Sequence, residues 1–308
     1  MSRQATFTAF NDNELDGVHF TGKVFGCGSY ATVFELEYKG KKCAGKKIHQ
    51  VLEEQGNTSY TVCSFEKECQ LLSSLHHPNI VQFLGVHFEQ KGTVPILVME
   101  CLPTNLTSCI EQHGILPRDT GCSILYDVAR GLDYLHTQNP PIIHRDLSSN
   151  NVLLTDCMEA KIADLGVARI LNLTPLQMSK MTETPGTPAY MPPEVMIANP
   201  KYDTSIDEFS FGILTIHVLC GEWPHPQCSQ IRLEAGGKMI PVTEAERRQV
   251  FLQAIGNDHP LMDLILKCIN NDPKRRVHTT EIVQKLAKVV SPFPRCLASQ
   301  FERYYIIG

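Results

Sequence analysis

The chain has 308 residues, 43% of them hydrophobic and 20% charged, with a formal net charge of −5. That is long enough for a sizeable core in two domains, or in one domain of two lobes, and it excludes wholesale disorder. The charge gives no pull towards nucleic acid or an anionic membrane surface.

The opening residues, MSRQATFTAFNDNELDG, have no apolar core, so no secretory signal is expected; residues 1–16 read as a loose polar arm. From Val18 to Ile48 apolar residues alternate, broken by GCGSYA and by Lys39-Gly40-Lys41, which predicts strands joined by a hairpin turn. Residues 49–61 read as a polar connection and 62–75 as a helix with Phe65, Cys69 and Leu72 on one stripe. Strands follow at about 81–88 and 94–100. A long helix opens at Leu116-Pro117-Arg118-Asp119 and keeps its apolar spacing to His136. Two short strands, 151–155 and 159–163, precede an aperiodic stretch, 164–194, rich in Thr and Pro. Helices are predicted over 205–220, 243–255, 260–270 and 279–290, and a tail over 291–308. The longest apolar stretch, 209–220, contains His217 and is too short to span a bilayer. The twelve cysteines are scattered without zinc spacing and read as reduced thiols of a cytoplasmic protein.

The stretch richest in chemistry is Ile142 to Leu154, IIHRDLSSNNVLL. A carboxylate, Asp146, can accept the proton of an attacking hydroxyl; an amide five residues on, Asn151, can ligate a hard cation. At that spacing one short loop can aim both groups into one site. Elsewhere, Gly26 and Gly28 sit in a strand–turn–strand setting where a backbone without Cβ atoms can approach phosphates. Period two puts Ala44 and Lys46 on one face of a strand and Lys47 on the other.

His144-Arg145-Asp146-Leu147-Ser148-Ser149-Asn150-Asn151 resembles the protein-kinase catalytic loop H-R-D-L-x-x-x-N. The other kinase motifs follow in family order. Phe25-Gly26-Cys27-Gly28-Ser29-Tyr30-Ala31-Thr32-Val33 is similar to the glycine-rich loop, with Ala31 for its third glycine. Cys43-Ala44-Gly45-Lys46 is similar to V-A-I-K, Glu68 to the helix glutamate that pairs with the strand lysine, and Met99-Glu100-Cys101-Leu102 to the segment joining the lobes. Asp164-Leu165-Gly166, 18 residues after Asp146, stands in the place of D-F-G. Gly186 to Glu194 resembles GTxxYxAPE.

The resemblance spans about Val18 to Val290, closest to the tyrosine-kinase-like group of serine/threonine kinases. It implies an α+β, two-lobed protein-kinase-like fold, with a small β-rich lobe carrying one long helix (17–102 with the hinge) and a large, mainly helical lobe (103–290). The cofactors would be ATP and Mg²⁺, the partner a protein with a Ser/Thr acceptor. Neither nucleic acid nor membrane is an expected partner, and oligomeric state is left open. Lys46, paired with Glu68, would orient the phosphates; Asp146 would be the base, and Asn151 and Asp164 would hold magnesium. Phe25, Gly26, Cys27, Gly28 and Ser29 would cover the nucleotide, with Val33, Ala44 and Leu153 lining it. Met99 would be the gatekeeper, with the backbone of Glu100 and Leu102 bonding adenine. Arg145 implies control by a phosphate on the activation segment, where Glu183, flanked by Thr182 and Thr184, is an acid already in place. Thr187 favours a short aliphatic acceptor, whereas Ser148 stands where most serine/threonine kinases carry Lys, which implies slow turnover or a trace of phosphotyrosine. The readings of another kind are a pseudokinase scaffold that binds nucleotide weakly or not at all, and a dual-specificity kinase.

Overall fold

The computed structural model describes residues 14–27, 31–48, 69, 71–89, 95–165, 187–196, 203–222, 231–233, 239–241, 244–256 and 259–290. The chain divides into two compact units, one of residues 1–102 with 165–172 and one of 103–164 with 173–308.

The first unit is built on a sheet of order β1-β2-β3-β5-β4, with β1 Val18–Cys27, β2 Ala31–Tyr38, β3 Lys41–Ile48, β4 Phe83–His87 and β5 Ile96–Glu100. The β2–β3 hairpin turns on Lys39 and Gly40, both at positive φ (51° and 72°), as a tight two-residue hairpin requires. One face of the sheet carries the core cluster of Val18, Phe34, Leu36, Cys43, Ile96 and Val98. Alternation puts Gly45 on that face too, opposite Phe34 and Val98. Its lack of a side chain is a packing requirement: a Cβ there would lie 2.5 Å from Leu36 Cδ1 and 2.9 Å from Phe34 Cε2.

One sequence expectation changes here, and another falls largely outside the described residues. Residues 14–16 are not a loose arm: Glu14 bridges Val86 in parallel, Leu15 N donates to Val86 O at 2.8 Å, and Leu15 packs against the core cluster. The predicted 62–75 helix lies largely outside the described residues; 69 and 71–74 are helical.

In the second unit, β6 (Thr104–Asn105), β7 (Val152–Leu154) and β8 (Ala160–Ile162) form a small antiparallel sheet. Helices α1 (Leu106–His113), α2 (Arg118–His136), α3 (Ser205–Cys220), α4 (Glu244–Ile255), α5 (Met262–Cys268) and α6 (Thr279–Leu286) follow in chain order. Sequence periodicity misses α1, whose start is nonetheless chemically marked: Asn105 Oδ1 accepts Ser108 N at 2.8 Å, an N-cap. It also misses the two-stranded pairing of β9 (Ile231–Leu233) with β10 (Met239–Pro241). α3 is buried from Ser205 to Val218, the burial pattern of a helix at the centre of its unit. α2 packs against it and α6 packs against α2, where Asp133 Oδ1 accepts both Thr279 Oγ1 (3.1 Å) and Thr280 Oγ1 (2.7 Å).

Strand propensity alone favours Val over Gly at position 45. The packing reverses that sign: Gly45→Val should lower stability by about 1–3 kcal/mol, the usual cost of overpacking, read as a lower urea midpoint.

Candidate active site

In the first unit, β3 presents its two lysines differently. Lys46 is only 6% exposed and pairs in register with Val33 and Leu97, on the face opposite the core cluster. Lys47 is half-buried and forms an ion pair with Glu89. Ala44 is directly opposite Met99, so the two are cross-strand neighbours. Phe25, Gly26 and Cys27 are exposed at the end of β1, where Gly26 pairs with Val33. Glu100 is fixed twice by Gln82: Glu100 N donates to Gln82 O at 3.0 Å, and Gln82 N to Glu100 Oε1 at 2.7 Å. The Cys101 thiol is pushed up by burial and by the Glu35 and Cys43 charges, which keeps it protonated and unreactive at neutral pH. Gly28, Ser29 and Glu68 lie outside the described residues, as do Thr182, Glu183 and Thr184.

In the second unit the loop from His144 to Asn151 is held from below by Asp207, in the first turn of α3 and fully buried. Asp207 Oδ2 accepts His144 N at 2.7 Å and His136 Nε2 at 2.9 Å; Oδ1 accepts Arg145 N at 2.8 Å. Burial pushes this carboxyl up, yet the His136 hydrogen bond and charge, with His144, outweigh it and leave its pKa below the ordinary carboxylate value. His144 Nε2 donates to Ala163 O at 2.9 Å while its Nδ1 accepts Asp146 N at 3.3 Å, so both ring nitrogens are engaged in bracing the loop. Arg145 is left-handed, φ 70°. For a non-glycine residue that backbone costs on the order of 1–3 kcal/mol and persists only where its surroundings impose it. Asp164, at φ 59°, is strained in the same sense.

Asn151 Nδ2 donates to Asp146 O at 2.7 Å and to Asp146 Oδ2 at 3.1 Å. Both contacts use the amide nitrogen, which leaves the amide oxygen as the atom able to face a cation. Ala163 N donates to Asn151 O at 2.8 Å, extending the β7–β8 register by one step, so Asn151 and Asp164 lie at the same end of that ladder. Amide and carboxylate oxygens are a hard donor set that suits Mg²⁺. Leu153 is half-buried on β7, opposite Asn105 and Lys161. Ser148 is buried, and its carbonyl accepts Asn151 N at 3.0 Å. Thr187 begins a 3₁₀ turn that ends at Tyr190. Glu194 is paired with Arg276: Nη2 donates to Oε2 at 2.8 Å, and Nη1 contacts Oε1. That buried guanidinium also donates to Ser205 O and Asn270 O, which ties the 193–196 turn to α3.

The protein kinase domain profile matches residues 20–286. The serine/threonine-protein kinase VIK of Arabidopsis thaliana is 30% identical over 88% of this chain and 60% of its own length. The dual specificity protein kinase shkC of Dictyostelium discoideum is 30% identical over 87% of the chain and 51% of its own. The serine/threonine-protein kinase TNNI3K of Mus musculus is 31% identical over 86% of the chain and 30% of its own. The chain thus spans less than two thirds of each of these relatives.

Asp207→Ala removes the acceptor of two buried backbone N–H groups and should cost about 3 kcal/mol or more of stability, measured by urea unfolding. The folded pKa of Asp207 is depressed, so its contribution is full above the ordinary carboxylate value of about 3.9 and is lost as pH falls through the lower folded value. The stability gap between wild type and Asp207→Ala should therefore narrow only in that acid range.

Proposed function

The chain belongs to the protein kinase family, and from that premise we propose that it transfers the γ-phosphate of ATP to serine and threonine hydroxyls of protein substrates. The observation that carries this reading is the pinned loop, in which Asp146 and Asn151 are hydrogen-bonded to each other and Asp207 fixes the two residues before Asp146.

On this reading Asp146 orients the acceptor hydroxyl and takes its proton. Asn151 and Asp164 hold magnesium through their oxygens. By the family resemblance Lys46 and Glu68 would orient the phosphates, and the segment from Phe25 to Ser29 would cover them. By the same resemblance Val33, Ala44 and Leu153 would line the adenine, Met99 would limit its pocket, and the backbone of Glu100 and Leu102 would bond its edge. Bound MgATP supplies the transferable phosphoryl group together with the cation that neutralises it. The protein's own contribution is positioning and fixed charge rather than a covalent nucleophile. The full set Lys46, Glu68, Asp146, Asn151 and Asp164 supports an enzyme over a scaffold that only resembles one.

Thr187 supports a short aliphatic acceptor. A second reading, dual specificity, is favoured by the small residue at Ser148 and by the name of the Dictyostelium relative. The nine described cysteines are free thiols, which supports a reducing, cytoplasmic setting such as intracellular signalling.

The test is labelled MgATP with a mixed Ser/Thr/Tyr peptide library, followed by phosphoamino-acid analysis. Phosphoserine and phosphothreonine are expected, with at most a trace of phosphotyrosine. Asp146→Asn keeps the size of the side chain but removes proton acceptor and charge. Turnover should fall by about 10²-fold or more while nucleotide binding survives. Predominant phosphotyrosine would overturn the acceptor assignment, and undiminished turnover by Asp146→Asn would overturn the role of Asp146.

A further inference from the structure

One buried titratable side chain has no part in the chemistry assigned above. His217 lies in the last turn of α3, 1% exposed. Its Nδ1 is 2.7 Å from the Tyr190 hydroxyl. That hydroxyl is 3.1 Å from Ser149 Oγ, which is 2.6 Å from Thr107 Oγ1. All four side chains are buried, so these are hydrogen bonds made without competition from solvent. They join four separate elements: α1, the turn Ser149–Asn151, the turn Thr187–Tyr190 and α3.

Both titratable members of the chain are neutral. Burial lowers the His217 pKa to about 4, so the imidazole is neutral at working pH. Burial also raises the pKa of Tyr190, which keeps its phenolic proton in place. In the Nε2–H tautomer of that neutral ring, Nδ1 accepts from Tyr190 and the Tyr190 oxygen accepts from Ser149. Ser149 is three residues after Asp146 and two before Asn151, inside the catalytic loop. Tyr190 closes the turn that Thr187 opens, and α3 grips it a second time through Ser210 Oγ, which donates to Tyr190 O at 2.9 Å.

We propose that His217 is a positioning residue: through Tyr190 and Ser149 it locks the Thr187–Tyr190 turn to the loop from Asp146 to Asn151, and so sets the acceptor hydroxyl against Asp146. The proposal rests on the protein-kinase reading and adds to it the side chain that aligns its acceptor side. An apolar residue at 217 fills the same space but takes away the acceptor of the Tyr190 proton. The lock then loses its polarity without any loss of the nucleotide-side residues.

The experiment compares wild type, His217→Leu, His217→Asn, Tyr190→Phe and the double variant Tyr190→Phe/His217→Leu. Each is assayed for kcat and KM on one Ser/Thr peptide at saturating MgATP, together with nucleotide Kd and thermal midpoint. His217→Leu should lose about tenfold in kcat, with nucleotide Kd within about twofold of wild type. His217→Asn, whose Oδ1 stands in for Nδ1, should recover most of that loss. Tyr190→Phe, nearly isosteric, should match His217→Leu, and the double variant should be no worse than either. Wild-type kcat in His217→Leu, equal losses in the Asn and Leu variants, or additive losses in the double variant would each overturn the proposal. If His217→Leu does not fold, Tyr190→Phe decides: a tenfold loss supports the lock and wild-type turnover overturns it. Wild-type protein that phosphorylates no peptide overturns the kinase reading and the lock with it. An active wild type beside an unimpaired His217→Leu overturns the lock alone.

Discussion

The catalytic loop depends on one buried carboxylate. Asp207 accepts from the backbone of His144 and of Arg145 and from the His136 ring, so three donors share its two oxygens. Hydrogen bonds to a buried charge are stronger than neutral ones, and the loss of such an acceptor leaves its donors stranded. The grip has a geometric consequence. It holds Arg145 in a left-handed backbone that the residue would not adopt unaided, and this turn carries the chain round to Asp146. His144, its ring bonded to Ala163 O and Asp146 N, fills the inside of the turn. Asn151 then ties the far end of the loop back to Asp146. The direction of the Asp146 carboxylate is thus set by a residue 61 positions further along the chain.

That helix explains why so many buried polar groups coexist in one core. α3 is apolar for most of its length, and several of the polar side chains it buries are spent on other segments. Asp207 holds the catalytic loop, Ser210 the backbone of Tyr190, and His217 the Tyr190 hydroxyl. Arg276 adds Ser205 O and Glu194 to the same scaffold and stacks 5.0 Å from the Phe209 ring. A buried arginine with a carboxylate, two carbonyls and an aromatic face is well matched, which is what makes its burial tolerable.

Much of this was legible in the sequence because the signals are local. Asp146 and Asn151 lie in one loop, the 205–220 helix is bounded as its apolar run suggests, and Lys39-Gly40 turns the hairpin. The partnership of Glu194 with Arg276 and the anchoring role of Asp207 join residues distant in sequence, and no local pattern encodes them. What escaped reading depends on residues distant in sequence. Gly45 looks like a weak point in a strand until Phe34 and Leu36 are seen to occupy the space of its side chain. Residues 14–16 look like a polar arm, yet Leu15 reaches the β4 edge through its backbone, which composition does not encode. α1, capped by Asn105 and Gly114, has only eight residues, too short for periodicity to declare it. The lock from Thr107 to His217 spans four elements, and no motif predicts it.

If Asp207 is the constraint on which the loop depends, the amides it holds should open only when the second unit opens. Native-state hydrogen exchange of His144 and Arg145 in the wild-type protein measures this directly. The account predicts that both amides exchange as slowly as the buried α3 amides, with the same dependence on added denaturant. Exchange of either at rates typical of an exposed loop, while α3 remains protected, would contradict it.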